Sequence, residues 1–242
     1  MKKNIIISGA SKNLGLYLGK FFFKKKYNVI NISRSIKINK QFYNFNCDLA
    51  KEDEVLRTFK KIKKKFKKID LLISCAGNSK KTFQSFESSD DFQKSFNDNF
   101  YSMVNLISSY TKIYKFWSTK IIGISSIAGL KVTKAPITYS VAKSAINFYA
   151  KYKAKELAKF KISLNIISPG NILQPNNNWD KKIKESKTKT LIYISKNVPM
   201  NNFCKPLEIA DTINFILNTK NNFITGSNFV IDGGETLWTK LY

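Results

Sequence analysis

The chain has 242 residues, 43% of them hydrophobic, which suits one large α/β domain with a sizeable core; its apolar runs are too short for a membrane span or a secretory leader, so a cytoplasmic protein is expected. The net charge of +26 is almost all lysine, with Arg34 and Arg57 the only arginines; this argues against a specific nucleic-acid reader and leaves attraction to acidic partners open. There is no histidine and no CxxC, and Cys47, Cys75 and Cys204 are scattered, so no metal site is expected and the cysteines read as buried reduced thiols.

The first apolar run predicts a strand over Lys3–Ser8, followed by a helix from about Asn13 to Lys26. Strands follow at Asn28–Ser33 and Phe42–Asn46. In 51–68, Val55, Phe59, Ile62 and Phe66 recur at helical spacing and lysines fill the other face, the pattern of an amphipathic helix. A strand at Ile69–Ser74, a long helix over roughly 90–116, a strand at Lys120–Ser125, a helix over 138–160 and a strand at Ile162–Ser168 come next. A polar loop and helix near 174–196, a helix over 206–218 and a last strand at Asn228–Ile231 complete the chain. Strands alternating with helices of this length imply a parallel sheet covered on both faces. The Asn- and Lys-rich stretch from 174 reads as a mobile loop over a site rather than a domain boundary.

The first strand runs into Ser8-Gly9-Ala10-Ser11-Lys12-Asn13-Leu14-Gly15. A glycine-rich turn between a first strand and a first helix admits a pyrophosphate to the helix N-terminus. Asn13 stands where another glycine might, and Asn tolerates left-handed backbone. The second strand ends Ile32-Ser33-Arg34, with no acid to hold the ribose hydroxyls of NAD; Arg34, helped by Lys12, suits the 2′-phosphate of NADP(H) instead.

Two Tyr-x-x-x-Lys pairs occur, Tyr139/Lys143 and Tyr149/Lys153, and a chain this rich in both residues supplies about two by chance. Residues four apart share a helix face, so an ammonium beside a phenol can lower the tyrosine pKa and make a general acid/base without histidine.

In their order along the chain, these residues resemble the short-chain dehydrogenase/reductase family, particularly its 3-oxoacyl reductases, over nearly the whole length. The glycine motif corresponds to Gly9, Asn13 and Gly15, and the acid at the adenine to Asp48-Leu49. The segment after the fourth strand is Ser74-Cys75-Ala76-Gly77, and the helix asparagine is Asn99. The active-site serine, 13 residues before the tyrosine, is Ser126; the same offset from Tyr149 gives Pro136, which has no hydroxyl, so Tyr139/Lys143 is the reactive pair. Pro169-Gly170 and the ending Val230-Ile231-Asp232-Gly233-Gly234 match the family's last two strands.

The resemblance implies a Rossmann-type sheet of about seven strands in the order 3-2-1-4-5-6-7, as a single domain over 1–242 with a substrate lid at about 174–200. It implies catalytic residues Asn99, Ser126, Tyr139 and Lys143. It implies cofactor contacts from Gly9, Ser11, Lys12, Asn13, Leu14, Gly15, Arg34, Asp48, Leu49, Ala76, Gly77, Tyr139, Lys143, Pro169, Gly170 and Ile172. The activity implied is NADPH-dependent reduction of a ketone or aldehyde, or the reverse, with Tyr139 as acid. The substrate is a small carbonyl compound or alcohol, which an acyl-carrier protein would carry if it is a 3-oxoacyl thioester. Alternatives are a keto-sugar or sugar-nucleotide reductase of surface polysaccharide synthesis, for which Trp179 in an Asn-rich lid would stack on a sugar ring, and a catalytically silent NADP-binding regulator. A homotetramer or homodimer is implied, with Phe100, Met103, Ile107, Phe148 and Tyr152 as candidate contacts. Ser74-Cys75 in place of two asparagines, Asn13 for glycine, and Gln174 for a common threonine are the departures.

Overall fold

The structure, a computed structural model, describes residues 2–35, 40–79, 86–114 and 118–237. Seven parallel strands form one sheet in the order β3-β2-β1-β4-β5-β6-β7. They are β1 (Asn4–Ser8), β2 (Asn28–Ser33), β3 (Tyr43–Asn46), β4 (Leu71–Ser74), β5 (Lys120–Ile124), β6 (Ser163–Pro169) and β7 (Asn228–Ile231). The central strands read as unbroken apolar runs because both faces are covered. Alternate residues of one strand serve opposite cores. Ile6, Ile30, Ile32 and Ile166 pack under α2 (Glu52–Lys65), α4 (Ser102–Tyr114) and α5 (Ile137–Ala158). Ile5, Ile7, Ile122 and Ile167 pack under α1 (Asn13–Lys24) and α8 (Pro206–Asn218).

Strand order reverses between β1 and β4, which pair with Ser8 opposite Ser74. In an open parallel sheet that reversal opens a crevice at the carboxyl ends of the strands. Ser8 Oγ closes the floor of the crevice by accepting the backbone N–H groups of Cys75 (3.0 Å) and Ala76 (3.1 Å).

Two stretches differ from the sequence expectation. The helix predicted over 90–116 is broken: α3 (Ser89–Phe96) gives way to one π-helical turn, Asn97–Tyr101, before α4 begins, and positions 115 and 116 lie outside the described residues. A π turn adds a residue to the helical ladder and re-aims the side chains it carries. The stretch 174–196 is two helices, α6 (Asn178–Glu185) and α7 (Lys187–Asn197), sharing a small core of Ile194, Val198 and Phe203 with Leu173, Trp179 and Tyr193. Two of the candidate interface residues, Met103 and Ile107, are instead buried in the monomer core, because they lie on the face of α4 turned to the sheet.

Ser8→Ala leaves two buried amides without their acceptor and is expected to destabilise the fold by about 2 kcal/mol, read from urea denaturation. A loss below about 0.5 kcal/mol would mean Ser8 does not hold β1 and β4 together.

Candidate active site

The turn from β1 into α1 is shaped by its glycines. Gly9 has φ +77°, and a Cβ there would lie 3.1 Å from Ala76 Cα. A Cβ on Gly15 would lie 2.3 Å from Gly9 O, so nothing larger fits the inner wall of the turn. Asn13 adopts φ 49°, the left-handed backbone anticipated for it. The N-terminus of α1 has no side-chain cap from Lys12 and no acid in its first turn, so its backbone N–H groups and positive dipole end are left for an anion. These features fit a dinucleotide's pyrophosphate. Leu14 is buried in the α1 core; Ser11 is tied to the end of β2 through Ser33 Oγ (2.5 Å) and the Ser35 carbonyl (2.5 Å).

The other expected cofactor residues line the same crevice or its edges. Ala76 and Gly77 follow β4. A Cβ on Gly77 would lie 2.6 Å from Asn99 Oδ1 and 3.6 Å from Lys143 Nζ, so glycine keeps this wall low beside both polar groups. Asp48 Oδ1 accepts the Ala50 N–H (3.1 Å) and the Leu49 carbonyl accepts from Asn105 Nδ2 (2.9 Å), which fixes the loop after β3. Pro169 ends β6, Gly170 donates its N–H to Ile231 O (2.9 Å), and Ile172 bridges to Cys204. Arg34 leans toward the π turn and pairs with Asp98 at 3.0 Å.

Asn99, Ser126, Tyr139 and Lys143 converge at the carboxyl ends of β4 and β5. Lys143 lies on the buried stripe of α5 with Thr138, Ala142, Ile146 and Ala150. Its ammonium donates to the Ile124 carbonyl (2.9 Å) and lies 5.5 Å from the centre of the Tyr139 ring. Ser126 caps the 3-10 turn Ile127–Gly129 that follows β5, accepting the Ala128 N–H (3.2 Å), and its side chain lies near enough to the Tyr139 hydroxyl to influence its titration. That turn is clamped to α5: Gly129 O accepts from Ser144 Oγ (2.9 Å) and Asn147 Nδ2 (3.2 Å), and a Cβ on Gly129 would meet the Lys143 carbonyl carbon at 2.6 Å. This docking brings the Ser126 and Tyr139 side chains, 13 positions apart, near each other. Asn99 is buried in the π turn, donating to Asn78 O and Ser95 O at 3.0 Å and accepting from Asn78 N at 3.2 Å.

Burial dominates the titration of the pair. It pushes the half-buried Tyr139 hydroxyl up to about 12, against the lowering by Ser126. It pulls the Lys143 ammonium down to about 8. The expectation that Lys143 lowers the tyrosine pKa is therefore not met here: the ammonium is turned to Ile124 O and the ring, and burial, with Cys75 acting in the same direction, raises it. At neutral pH the tyrosine is a protonated donor.

The second pair has no such setting. Tyr149 packs edge-on against Phe100 at 5.8 Å, and Lys153 pairs with Glu156 at 2.7 Å.

A family model described as "Enoyl-(Acyl carrier protein) reductase", a branch of the short-chain dehydrogenases, matches residues 23–236. The chain belongs to the short-chain dehydrogenase/reductase family. It is an NAD(P)-dependent oxidoreductase of that family. Among curated relatives it is 26% identical to the Homo sapiens 3-oxoacyl-[acyl-carrier-protein] reductase, over 98% of this chain and 99% of that one. Among solved structures, one described as "ElxO with NADP Bound" superposes with a TM-score of 0.87 at 29% identity, covering 98% of this chain and 100% of the other. A 4-hydroxyisoleucine dehydrogenase complexed with NADH superposes with a TM-score of 0.86 at 27% identity, covering 98% and 100%.

Sequence reasoning missed several residues that build this short-chain dehydrogenase/reductase site. Asn31 accepts the Ala10 N–H (3.0 Å) from within β2, bracing the glycine turn; an Asn between Ile30 and Ile32 in a buried strand was a readable signal. Ser8 has the same kind of signal, a polar residue at the end of an apolar run. The π turn and the Asp98 pairing carry no local sequence mark.

Lys143→Met keeps the stem and removes a charge whose drop from its ordinary 10.5 to about 8 corresponds to about 3 kcal/mol. That burial cost is present in full below pH 8 and relaxes as the pH rises toward 10.5, where the unfolded chain also loses the proton. Melting at pH 7 is expected at or above the parent temperature, with the difference shrinking by pH 9.5. A melting temperature several degrees lower at pH 7 would show that the ammonium stabilises the fold.

Proposed function

We propose that the protein reduces a ketone or aldehyde to an alcohol with NADPH, and that Tyr139 is the proton donor. The observation that carries this reading is the buried Lys143 ammonium, held on the Ile124 carbonyl beside the Tyr139 ring, with Ser126 close by. NADPH, when bound, supplies the hydride. Ser126 hydrogen-bonds the substrate carbonyl oxygen, where negative charge develops during reduction. Tyr139 bonds the same oxygen and gives up its proton there. A hydroxyl held near 12 is fully protonated at neutral pH, which suits the reductive direction. Lys143, poised near 8, is a proton source within reach of the ring and restores the tyrosine. Asn99 holds the Asn78 backbone beside Lys143 and orders the proton path to solvent. Arg34 and Lys12 hold the 2′-phosphate at the edge of the crevice, giving NADPH preference over NADH.

The substrate is read as a 3-oxoacyl thioester presented by an acidic acyl-carrier protein. The names of the curated relatives and the +26 charge support this. The description of the matched family model speaks of enoyl reduction, but a protonated tyrosine hydroxyl with a serine close by suits a carbonyl, whose reduction ends with a proton on oxygen. The keto-sugar alternative rested on Trp179, which packs against Tyr193 (5.3 Å) and Phe203 (5.4 Å) and is partly buried. The same reading includes a cytoplasmic enzyme working as a homodimer or homotetramer. Phe148 and Tyr152 of α5 are 69% and 67% exposed and line a groove of about 480 Å³ with Phe100 and Tyr149. A second copy presenting the same face would cover it, as two-fold pairing requires.

Tyr139→Phe keeps the ring and removes the proton. Turnover of a 3-oxoacyl thioester, followed by NADPH oxidation, is expected to fall by about 10²–10⁴-fold with NADPH affinity unchanged. Turnover within tenfold of the parent would sink the assignment.

A further inference from the structure

Arg34 is not free to wait for a phosphate. Its guanidinium leaves the end of β2 and reaches Asp98 in the π turn, 3.0 Å away. The two elements stand on opposite sides of the crevice, with the Gly77-Asn78 wall between them: Asn78 Nδ2 also donates to Asp98, and Asn78 is held by Asn99. The carboxylate therefore lies at the nucleotide end of the crevice, next in sequence to a residue lining the reaction centre. The Arg34 side chain keeps 61% of its surface exposed and Asp98 24%, so the pair is wet on one side and easily exchanged.

We propose that Asp98 is a cofactor-discriminating residue that competes with the 2′-phosphate for Arg34. This rests on the NADPH reading above. An acid that separates NAD from NADP usually comes from the end of the second strand; in this chain that position holds Arg34, and the carboxylate arrives from the π turn instead. A 2′-phosphate bound by Arg34 must share or displace Asp98 and bear the nearby negative charge. NADH does neither. Arg34 and Asp98 thus oppose each other, and the chain discriminates between the two cofactors less than Arg34 alone would dictate. An exposed ion pair accounts for up to about fivefold in an equilibrium, and like-charge repulsion adds to it in the same direction.

The test is direct binding of NADPH and NADH to the whole protein, by calorimetry or quenching of intrinsic fluorescence, without substrate. Asp98→Asn keeps an acceptor for Asn78 and frees the guanidinium. It is expected to tighten NADPH about two- to tenfold while leaving NADH within twofold, so that NADH binding doubles as the check on folding. Asp98→Ser, which adds no amide donor to the crevice, is expected to shift the ratio the same way. An NADPH-to-NADH affinity ratio unchanged within twofold in both variants, or a lowered one, overturns the proposal. Arg34→Leu separates it from the reading it rests on: if that variant binds NADPH as the parent does, the phosphate assignment of Arg34 fails whatever Asp98 does.

Discussion

One buried charge organises this molecule. Lys143 stands on the stripe of α5 that otherwise carries Thr138, Ala142, Ile146 and Ala150 into the core. An ammonium taken from water must be met by polar groups or lose its proton. Here the Ile124 carbonyl meets it, at the point where β5 ends, and its pKa falls to about 8. The glycine at 129 lets the turn after β5 lie against the Lys143 backbone, and Gly77 keeps the opposite wall clear of its ammonium. These close approaches bring Ser126 near Tyr139.

Burial, rather than any pairwise charge, separates this lysine from the many others. The tyrosine alone would not distinguish the site: Tyr149 is pushed to about 12 by burial just as Tyr139 is. What differs is the company. Lys153 pairs with Glu156, whereas Lys143 is buried with its ammonium on the Ile124 carbonyl. The large net charge of the chain is mostly solvated, as the wet face of α2 illustrates, and one ammonium, that of Lys143, is desolvated beside the Tyr139 ring.

Much of this was legible in the sequence because it depends on periodicity and spacing. Alternating apolar strands and amphipathic helices specify a covered parallel sheet, and the strand order agrees with the family resemblance. The offset between Ser126 and Tyr139 singled out one of two tyrosine–lysine pairs. Four things were not legible. The π turn at Asn97–Tyr101 arises from packing of an otherwise ordinary helical stretch, so no composition signal marks it. The titration of Tyr139 was misjudged because pair spacing says nothing of how deeply a group is buried. Trp179 was read as a stacking ring for a ligand, and its packing against Tyr193 and Phe203 beside a small core could not be read from the sequence. Long-range contacts such as Arg34 with Asp98 are invisible to a one-dimensional reading.

The central claim is that the Lys143 ammonium is desolvated in the folded protein. Its titration can be followed directly by heteronuclear NMR on lysine-labelled protein, with the Lys143→Met spectrum identifying the resonance. The account predicts that Lys143 titrates near pH 8, well below the ordinary lysine value of 10.5. A Lys143 resonance that titrates at that ordinary value would contradict it.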